Sequence, residues 1–183
     1  LQNTGTDAVV AMCDGTTNKT LLTEGLLIAA DKAALTIGQS VGDGLLMALN
    51  EGGALVLAND ATNATLTVNA VVTNHVAASS LSKSGPGNVM IAGAARYTGA
   101  TAIDGGTLTF GSASDQTLPG PVVGAGAWAK TGAGVLRLGG NNTYAGATLI
   151  NAGTVIADHS NALGPNGAGP VIASNATLDV GGS

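Results

Sequence analysis

One stretch of 28 residues occurs twice in this chain and decides the fold. Lys83 to Phe110 reads KSGPGNVMIAGAARYTGATAIDGGTLTF, and Lys130 to Ala157 reads KTGAGVLRLGGNNTYAGATLINAGTVIA. The two copies align without a gap at an offset of 47 residues and share 11 identical positions, among which glycine is the most frequent residue. A fixed period of this length is typical of repeat architectures, in which each unit packs mainly on its neighbours.

Apolar residues outside the repeat arrive in short bursts that end at Gly, Asn, Asp or Ser, such as ALVLAN (54–59) and TLTV (65–68). Alternating apolar bursts bounded by turn residues indicate short β-strands. Only Thr17 to Leu35 partly fits the period of a helix. Gly25 lies in the middle of that stretch, so we favour strand there and keep a short helix as the alternative.

The composition excludes several classes of protein. The 183 residues include 29 glycines, 2% aromatic and 9% charged residues, whereas an ordinary layered domain carries about 25% charge. The hydrophobic content of 45% and the mean hydropathy of +0.35 do not fit a disordered chain. A net charge of −5 without a basic cluster argues against nucleic acid as a partner. No apolar run reaches the length of a membrane-spanning helix, so we expect no membrane insertion by this segment.

The repeated string, K-[ST]-G-x-G followed by Y-x-G-A-T-x-I, resembles the autotransporter-associated β-strand repeat of bacterial passenger domains. The likeness is strongest over Leu81 to Ala157 and extends more weakly over residues 45–183. The resemblance implies a right-handed parallel β-helix that is secreted across the outer membrane and found outside the cell or on its surface. The membrane β-barrel that many members of the family carry is not part of this sequence.

A β-helix needs about 20 to 25 residues for each rung, and successive rungs stack at roughly 4.7–4.9 Å. The 47-residue offset therefore predicts two rungs for each repeat and about eight rungs for the chain. We expect one β-solenoid segment over residues 1–183, with tandem repeats at 81–127 and 128–180. Residues 1–44 are expected to form less regular rungs or a cap.

No cluster of residues points to catalysis, a cofactor or a metal. Asp158, His159 and Ser160 are consecutive and cannot form a triad if adjacent side chains point to opposite faces. His75 has no second ligand at metal spacing, and Cys13 has no nearby base. The glycine strings at 124–134 and 164–169 have no Lys-Ser/Thr pair, so we interpret them as rung corners rather than phosphate loops.

The few aromatic side chains and the asparagines also favour structural roles. We expect Trp128 to be a cap or to fill a wide corner, with a carbohydrate platform as the alternative. Tyr97 and Tyr144 occupy equivalent repeat positions, which favours a stack or a corner plug. The four N-x-T strings, which begin at Asn18, Asn63, Asn141 and Asn175, are interpreted as turns.

The sequence therefore predicts a non-enzymatic module of a bacterial surface that acts as a stalk, an adhesive spacer or a fibre subunit. The expected partners are copies of the chain stacked end to end or adjoining rungs of a longer chain, with surface glycans as a further candidate. A glycan-binding adhesin is the first alternative. A polysaccharide-degrading β-helix enzyme is the second, although its carboxylates would be spread singly along the rod, at Asp43, Glu51, Asp60, Asp104, Asp115 and Asp158.

Overall fold

The chain folds as a β-solenoid of about seven turns, one fewer than the sequence suggested. The computed structural model describes residues 2–3, 7–10, 19–165 and 169–181. In these ranges the regular structure consists of strands, numbered β1 to β22 along the chain, and no helix is present. The stretch from Thr17 to Leu35, for which a helix was the alternative, contains strands in its described part. Every ladder between the strands is parallel, because each strand pairs with the equivalent strand one turn away.

The strands form three faces that run along the solenoid. The first face contains β1 (Gln2–Asn3), β4 (Gly25–Ile28), β7 (Ala54–Asn59), β10 (Ser80–Ser84), β13 (Thr101–Ile103) and β16 (Val122–Val123). The second face contains β2 (Ala8–Val10), β5 (Leu35–Ile37), β8 (Thr65–Val68), β11 (Asn88–Ile91), β14 (Thr107–Phe110), β17 (Ala127–Lys130), β19 (Thr148–Ile150) and β21 (Val171–Ile172).

The third face is divided into two sheets. The first sheet contains β3 (Thr20–Thr23), β6 (Leu45–Ala48), β9 (Val71–Thr73) and β12 (Ala95–Arg96). The second contains β15 (Gln116–Leu118), β18 (Val135–Leu138), β20 (Gly153–Ala157) and β22 (Ala176–Asp179). No backbone ladder joins β12 to β15 in the described chain, so the third face has a break at this point.

The repeat is longer than two turns. Lys83 pairs with Ile103 on the first face, whereas its repeat equivalent Lys130 pairs with Phe110 and Ile150 on the second face. The offset between the copies is therefore two turns plus one face. Equivalent residues of the two repeats lie on different faces, and they do not stack on each other.

Turn length decreases along the chain. Near the N-terminus the Asn69 side chain bonds across one turn to the carbonyl of Gly38, 31 residues earlier. Further on, the Thr98 amide bonds across one turn to the Asn74 side chain, and the two residues are 24 positions apart. The Val122 amide donates a hydrogen bond to the side chain of Asn142 in the next turn, and these residues are only 20 positions apart. The shorter turns coincide with the two repeats, and the longer N-terminal turns carry extra residues at their corners because the strands themselves stay short.

The core is a set of stacked inward columns. On the second face, inward positions of successive strands place Leu35, Leu66, Val89, Leu108 and Trp128 directly above one another. All five side chains are buried. Each ladder position repeats the same environment one strand spacing further on, which suits aliphatic side chains of similar size. The columns run through the described turns, and their buried apolar side chains form one continuous core.

Candidate functional site

The repeat glycines mark places where successive turns approach each other closely. A Cβ atom built on any of them would lie within 3.0 Å of a main-chain atom in the preceding turn. Most of them do not have a positive φ, so close approach rather than backbone conformation explains their recurrence. These glycines are Gly85, Gly87, Gly93, Gly99 and Gly106 in the first repeat and Gly132, Gly134, Gly140, Gly146 and Gly153 in the second.

The lysine that opens each repeat is buried inside a corner. Lys83 has no exposed surface, and its Nζ donates hydrogen bonds to the carbonyl oxygens of Ser84 at 2.8 Å, Gly85 at 2.7 Å and Gly105 at 3.0 Å. Gly105 belongs to the next turn, so the ammonium group connects two successive corners. Lys130 is equally buried and donates to the carbonyl oxygen of Gly132, the repeat equivalent of Gly85.

Sequence analysis missed these two lysines, although a signal was available. Lys83 follows Leu81 by two positions in β10, and Lys130 follows Trp128 by two positions in β17. Residues two apart in a strand share a face, so each lysine had to point inward with its apolar neighbour. The structure also brings Asp60 and Asp104 close enough to Lys83 to act on its charge.

Burial shifts the protonation of the lysine that opens each repeat. Loss of hydration lowers the pKa of Lys83 from 10.5 to about 8, and the negative charges of Asp60 and Asp104 partly oppose that change. Burial also lowers the pKa of Lys130, with opposition from Asp115. Since its ammonium donates to three main-chain carbonyls and is shielded from solvent, Lys83 holds a corner and is not presented to a substrate.

The two repeat tyrosines fill different corners of the solenoid, because Tyr97 lies between β12 and β13 and Tyr144 lies between β18 and β19. Tyr97 shares a hydrogen bond of 2.8 Å with the Thr101 hydroxyl, and Tyr144 shares one of 2.7 Å with the Thr148 hydroxyl. Both tyrosines are buried. Burial raises the pKa of Tyr97 well above its ordinary value of 10.0, with partial opposition from the bond to Thr101. The phenols act as plugs, and the two do not stack on each other.

We expect the stability of the protein to rise between about pH 8 and 10 and to fall above that range. Above the folded pKa of Lys83, near 8, the folded state has released a proton that the unfolded state keeps until 10.5, so unfolding becomes less favourable as pH rises. Above pH 10.0 the unfolded state loses the Tyr97 proton that the folded state retains, which reverses the slope. Urea unfolding midpoints measured at intervals of half a pH unit from pH 7 to 11 would show both the rise and the fall in stability.

Lys83→Met is the control for this pH profile. The variant removes the titrating group but keeps an unbranched side chain of similar length, so the rise between pH 8 and 10 should shrink while the fall above pH 10 remains. A wild-type urea unfolding midpoint that stays constant or falls between pH 7.5 and 9.5 would contradict a buried Lys83 with a lowered pKa.

The consecutive Asp158, His159 and Ser160 follow β20 in a corner and do not form a relay. Asp158 pairs with Arg137 at 3.0 Å, and His159 Nδ1 accepts a hydrogen bond from the Asn161 amide at 3.0 Å. All three residues border a cavity of about 340 Å³ with Leu163 and Val180. The carboxylate and imidazole are thus engaged with other groups.

Most other candidate residues lie apart from one another. Within the described ranges, no group of three or more His, Cys, Asp or Glu side chains comes together as a metal site would require. His75 lies in the loop before Ser79, and its Nδ1 is buried without a partner among the described residues. Cys13, Asn18 and part of the 164–169 glycine string lie outside the described residues. The Asp43 carboxylate accepts a hydrogen bond of 2.8 Å from the Ser40 amide in the same corner, and the Asp115 carboxylate accepts one of 2.8 Å from the Val135 amide in the next turn.

Trp128 lies in the core rather than at a cap or corner. It is 1% exposed and lies in β17, between Leu108 and Thr148 of the neighbouring turns. Its ring meets Phe110 edge to face at a centroid distance of 6.5 Å, and Tyr144 at 6.2 Å. A buried indole cannot serve as a carbohydrate platform. The solenoid is therefore wide enough at this point to hold a small aromatic cluster.

The comparison with known families fits this geometry. The family model for the passenger-associated-transport-repeat matches residues 81–110 and 129–157. Two segments of the chain are thus similar to the passenger-associated-transport-repeat. The matches cover about a third of the chain and coincide with both copies of the motif found in the sequence, which confirms the family resemblance. No curated protein and no solved structure matches the chain significantly.

The repeat family gives the module its general setting. Passenger-associated repeats imply a secreted or cell-surface protein, and the solenoid fits a structural module of the passenger type. The described residues include no helix long and apolar enough to cross a membrane. Each repeat supplies the glycines, lysine and tyrosine that close its corners, so the family motif is explained by the packing of one turn on the next.

Proposed function

We propose that this chain is a non-enzymatic extracellular module that serves as a β-solenoid spacer on a bacterial surface. The observation that supports this role is the continuity of the stacking. Parallel ladders join neighbouring turns on all three faces, with one interruption between β12 and β15 on the third, and the repeat glycines bring the corner backbones into close contact. A stack of this kind resists bending and gains roughly 4.8 Å of length with each added turn.

The chemical groups of the chain support a structural role over an enzymatic one. The ammonium of Lys83 is bound by three main-chain carbonyls, the Asp43 carboxylate binds the Ser40 amide within one corner, and the Asp115 carboxylate binds the Val135 amide of the next turn. Asp158 pairs with Arg137. A polysaccharide lyase or hydrolase needs paired carboxylates and a basic residue facing the substrate, whereas these groups are used to hold turns together.

The edge beyond β21 favours continuation of the stack. Val171 and Ile172 of β21 are 62% and 44% exposed, and in the described chain β21 is the last strand of the second face. An exposed apolar strand with an unpaired edge is a template for another strand. The next turn of a longer chain or a second copy of this chain would cover it. Pairing between copies is a heterologous contact that does not close, so it generates filaments.

We expect the purified chain to associate end to end as its concentration rises through the micromolar range. Negative-stain electron microscopy with light-scattering mass should then show filaments whose axial repeat is about 34 Å, which is seven turns at the strand spacing. Val171→Lys should abolish the assembly because it places a charge in the pairing edge. Val76→Lys is the matched control, since Val76 is 79% exposed on a lateral loop.

The two outcomes separate the roles of fibre and spacer. Filaments that persist in Val171→Lys would show that β21 is not the contact. A monodisperse monomer at all concentrations would contradict self-association and leave the spacer role to turns joined within one chain.

A further inference from the structure

The corner between β9 and β10 is three residues longer than the same corner of the next turn. Thr73 pairs with Arg96, 23 positions further along the chain, whereas Leu81 pairs with Thr101, only 20 positions further along. Three residues of the longer corner therefore have no counterpart in the next turn. Residues 76–78 are the exposed part of this corner, and we call them the β9–β10 loop. The next turn shows that the corner can close without them.

Both ends of the β9–β10 loop are fixed by hydrogen bonds. Before the loop, the His75 carbonyl accepts a bond of 3.2 Å from the Gly52 amide of the preceding turn. After the loop, Ser79 is only 2% exposed, and its carbonyl accepts a bond of 2.9 Å from the Gly99 amide of the next turn. The Ser79 amide also donates to the Asn74 side chain at 2.9 Å, which joins the two ends. These bonds hold the ends independently of the loop between them.

The loop contains a strained turn. The Ala77 amide donates a hydrogen bond of 2.7 Å to the His75 carbonyl, two residues earlier, and Val76 between them has a φ of 62°. A three-residue turn with a positive φ at its centre is the rare and strained form of the γ-turn. The left-handed region is especially unfavourable for a β-branched residue such as valine. Opening of the loop would therefore relieve strain at Val76.

The loop is accessible and is bonded mainly to itself. Val76 is 79% exposed, and Ala77 and Ala78 are exposed as well. The hydrogen bonds of Ala77 stay within the corner, because its amide donates to His75 and its carbonyl accepts from the Ser79 hydroxyl at 3.3 Å. Segments with few buried contacts open locally at low cost. Opening of the loop leaves the ladders of β9 and β10 intact.

The corner around Val41 shows that exposure alone does not distinguish the β9–β10 loop. Val41 is 65% exposed, but the following amide, that of Gly42, donates a hydrogen bond of 2.7 Å to the Asn69 carbonyl of the next turn. The Ser40 amide donates to the Asp43 carboxylate at 2.8 Å, and the Asp43 amide donates to the Ser40 carbonyl at 3.0 Å. This corner opens only if a bond to the next turn breaks, so it serves as the internal comparison.

We propose that the β9–β10 loop is a cleavage site for serine endoproteases of the elastase type. The S1 pocket of such a protease, which holds the side chain before the cleaved bond, is small and suits valine or alanine. Exposed loop tips with small side chains are preferred sites of proteolytic nicking. Hydrolysis between Val76 and Ala77 consumes one water molecule: its hydroxyl group bonds to the Val76 carbonyl carbon, the bond to the Ala77 nitrogen breaks, and that nitrogen takes the proton.

The cleaved chain remains one solenoid, because the new ends are held by the bonds of His75 and Ser79 to neighbouring turns. The site is independent of the spacer role. It makes the chain a substrate that is cut once within the described range 19–165 and does not come apart.

The test is limited digestion of the full chain with elastase, followed by mass spectrometry of the fragments. The earliest cut between residues 19 and 165 should follow Val76, Ala77 or Ala78. The two fragments should elute together in size-exclusion chromatography, with unchanged circular dichroism, until denaturant is added. A chain without residues 76–78 should fold, since the next turn closes without them, and should be cut between residues 19 and 165 at least about tenfold more slowly.

Two arginine variants separate the conformation of the loop from its amino-acid sequence. Val76→Arg supplies a trypsin site in the β9–β10 loop, and Val41→Arg supplies the same site in the corner bonded to Asn69. Trypsin should cut after residue 76 at least about tenfold faster than after residue 41. Equal rates at these two positions would overturn the proposal. An earliest elastase cut elsewhere between residues 19 and 165, equally fast digestion of the chain without residues 76–78, or separation of the fragments without denaturant would also overturn it.

Discussion

Gly140→Ala is expected to lower the free energy of unfolding by about 3 kcal/mol or more, which is the upper range for overpacking. A Cβ atom on Gly140 would lie 2.7 Å from both the Gly120 carbonyl carbon and the Pro121 Cα, and closer still to the Gly120 carbonyl oxygen. These are main-chain atoms of the preceding turn, so no side chain can rotate away. The two turns would have to separate, which would disrupt hydrogen bonds of the adjoining ladder.

Gly139→Ala is the matched control at the neighbouring position. The nearest atom to its Cβ would be the Pro119 Cα at 3.6 Å, which is an ordinary van der Waals contact. This change should alter the free energy of unfolding by no more than about 1 kcal/mol, and it can stabilise the protein by restricting the unfolded chain. Urea unfolding of both variants under the same conditions measures the difference. Equal effects of the two substitutions would show that close approach of the turns does not explain the repeat glycine.

The sequence was sufficient to predict the solenoid because the repeat, the short strands and the low aromatic content all reflect the same stacking. It was not sufficient to predict the phase of the repeat. An offset of 47 residues fits two complete turns of longer length as well as it fits two shorter turns plus one additional face. Only the pairing of Lys83 with Ile103 and of Lys130 with Ile150 distinguishes these alternatives.

The interior polar residues were harder to predict for a different reason. Lysine and glutamine are usually exposed, and their burial depends on carbonyl or amide groups that approach from another turn. Lys83 meets the Gly105 carbonyl 22 residues later, and Gln116 meets the Ala95 amide 21 residues earlier. A sequence pattern records which side of a strand a residue faces, but the available partner in the adjacent turn follows only from the register.

Trp128→Ala is expected to destabilise the protein by about 4 kcal/mol, the middle of the range for a buried tryptophan. The substitution would leave a cavity between Phe110 and Tyr144, and it would remove both edge-to-face contacts. The parallel ladders on either side of β17 limit how far the turns can collapse into that space. Urea unfolding followed by circular dichroism is the appropriate measurement, because Trp128 is the single tryptophan of the chain.

Trp128→Phe distinguishes a packing role from a role in binding. The Trp128 Nε1 group is buried without a partner among the described residues, so replacement by phenylalanine loses no hydrogen bond and keeps an aromatic ring against Phe110 and Tyr144. The expected cost is below about 2 kcal/mol, since part of the lost volume is offset by removal of an unsatisfied buried donor. If Trp128 were an exposed carbohydrate platform, Trp128→Ala would change the free energy of unfolding by less than about 0.5 kcal/mol and would abolish carbohydrate binding instead. A small effect of Trp128→Ala on unfolding would therefore contradict the aromatic core and restore the platform interpretation.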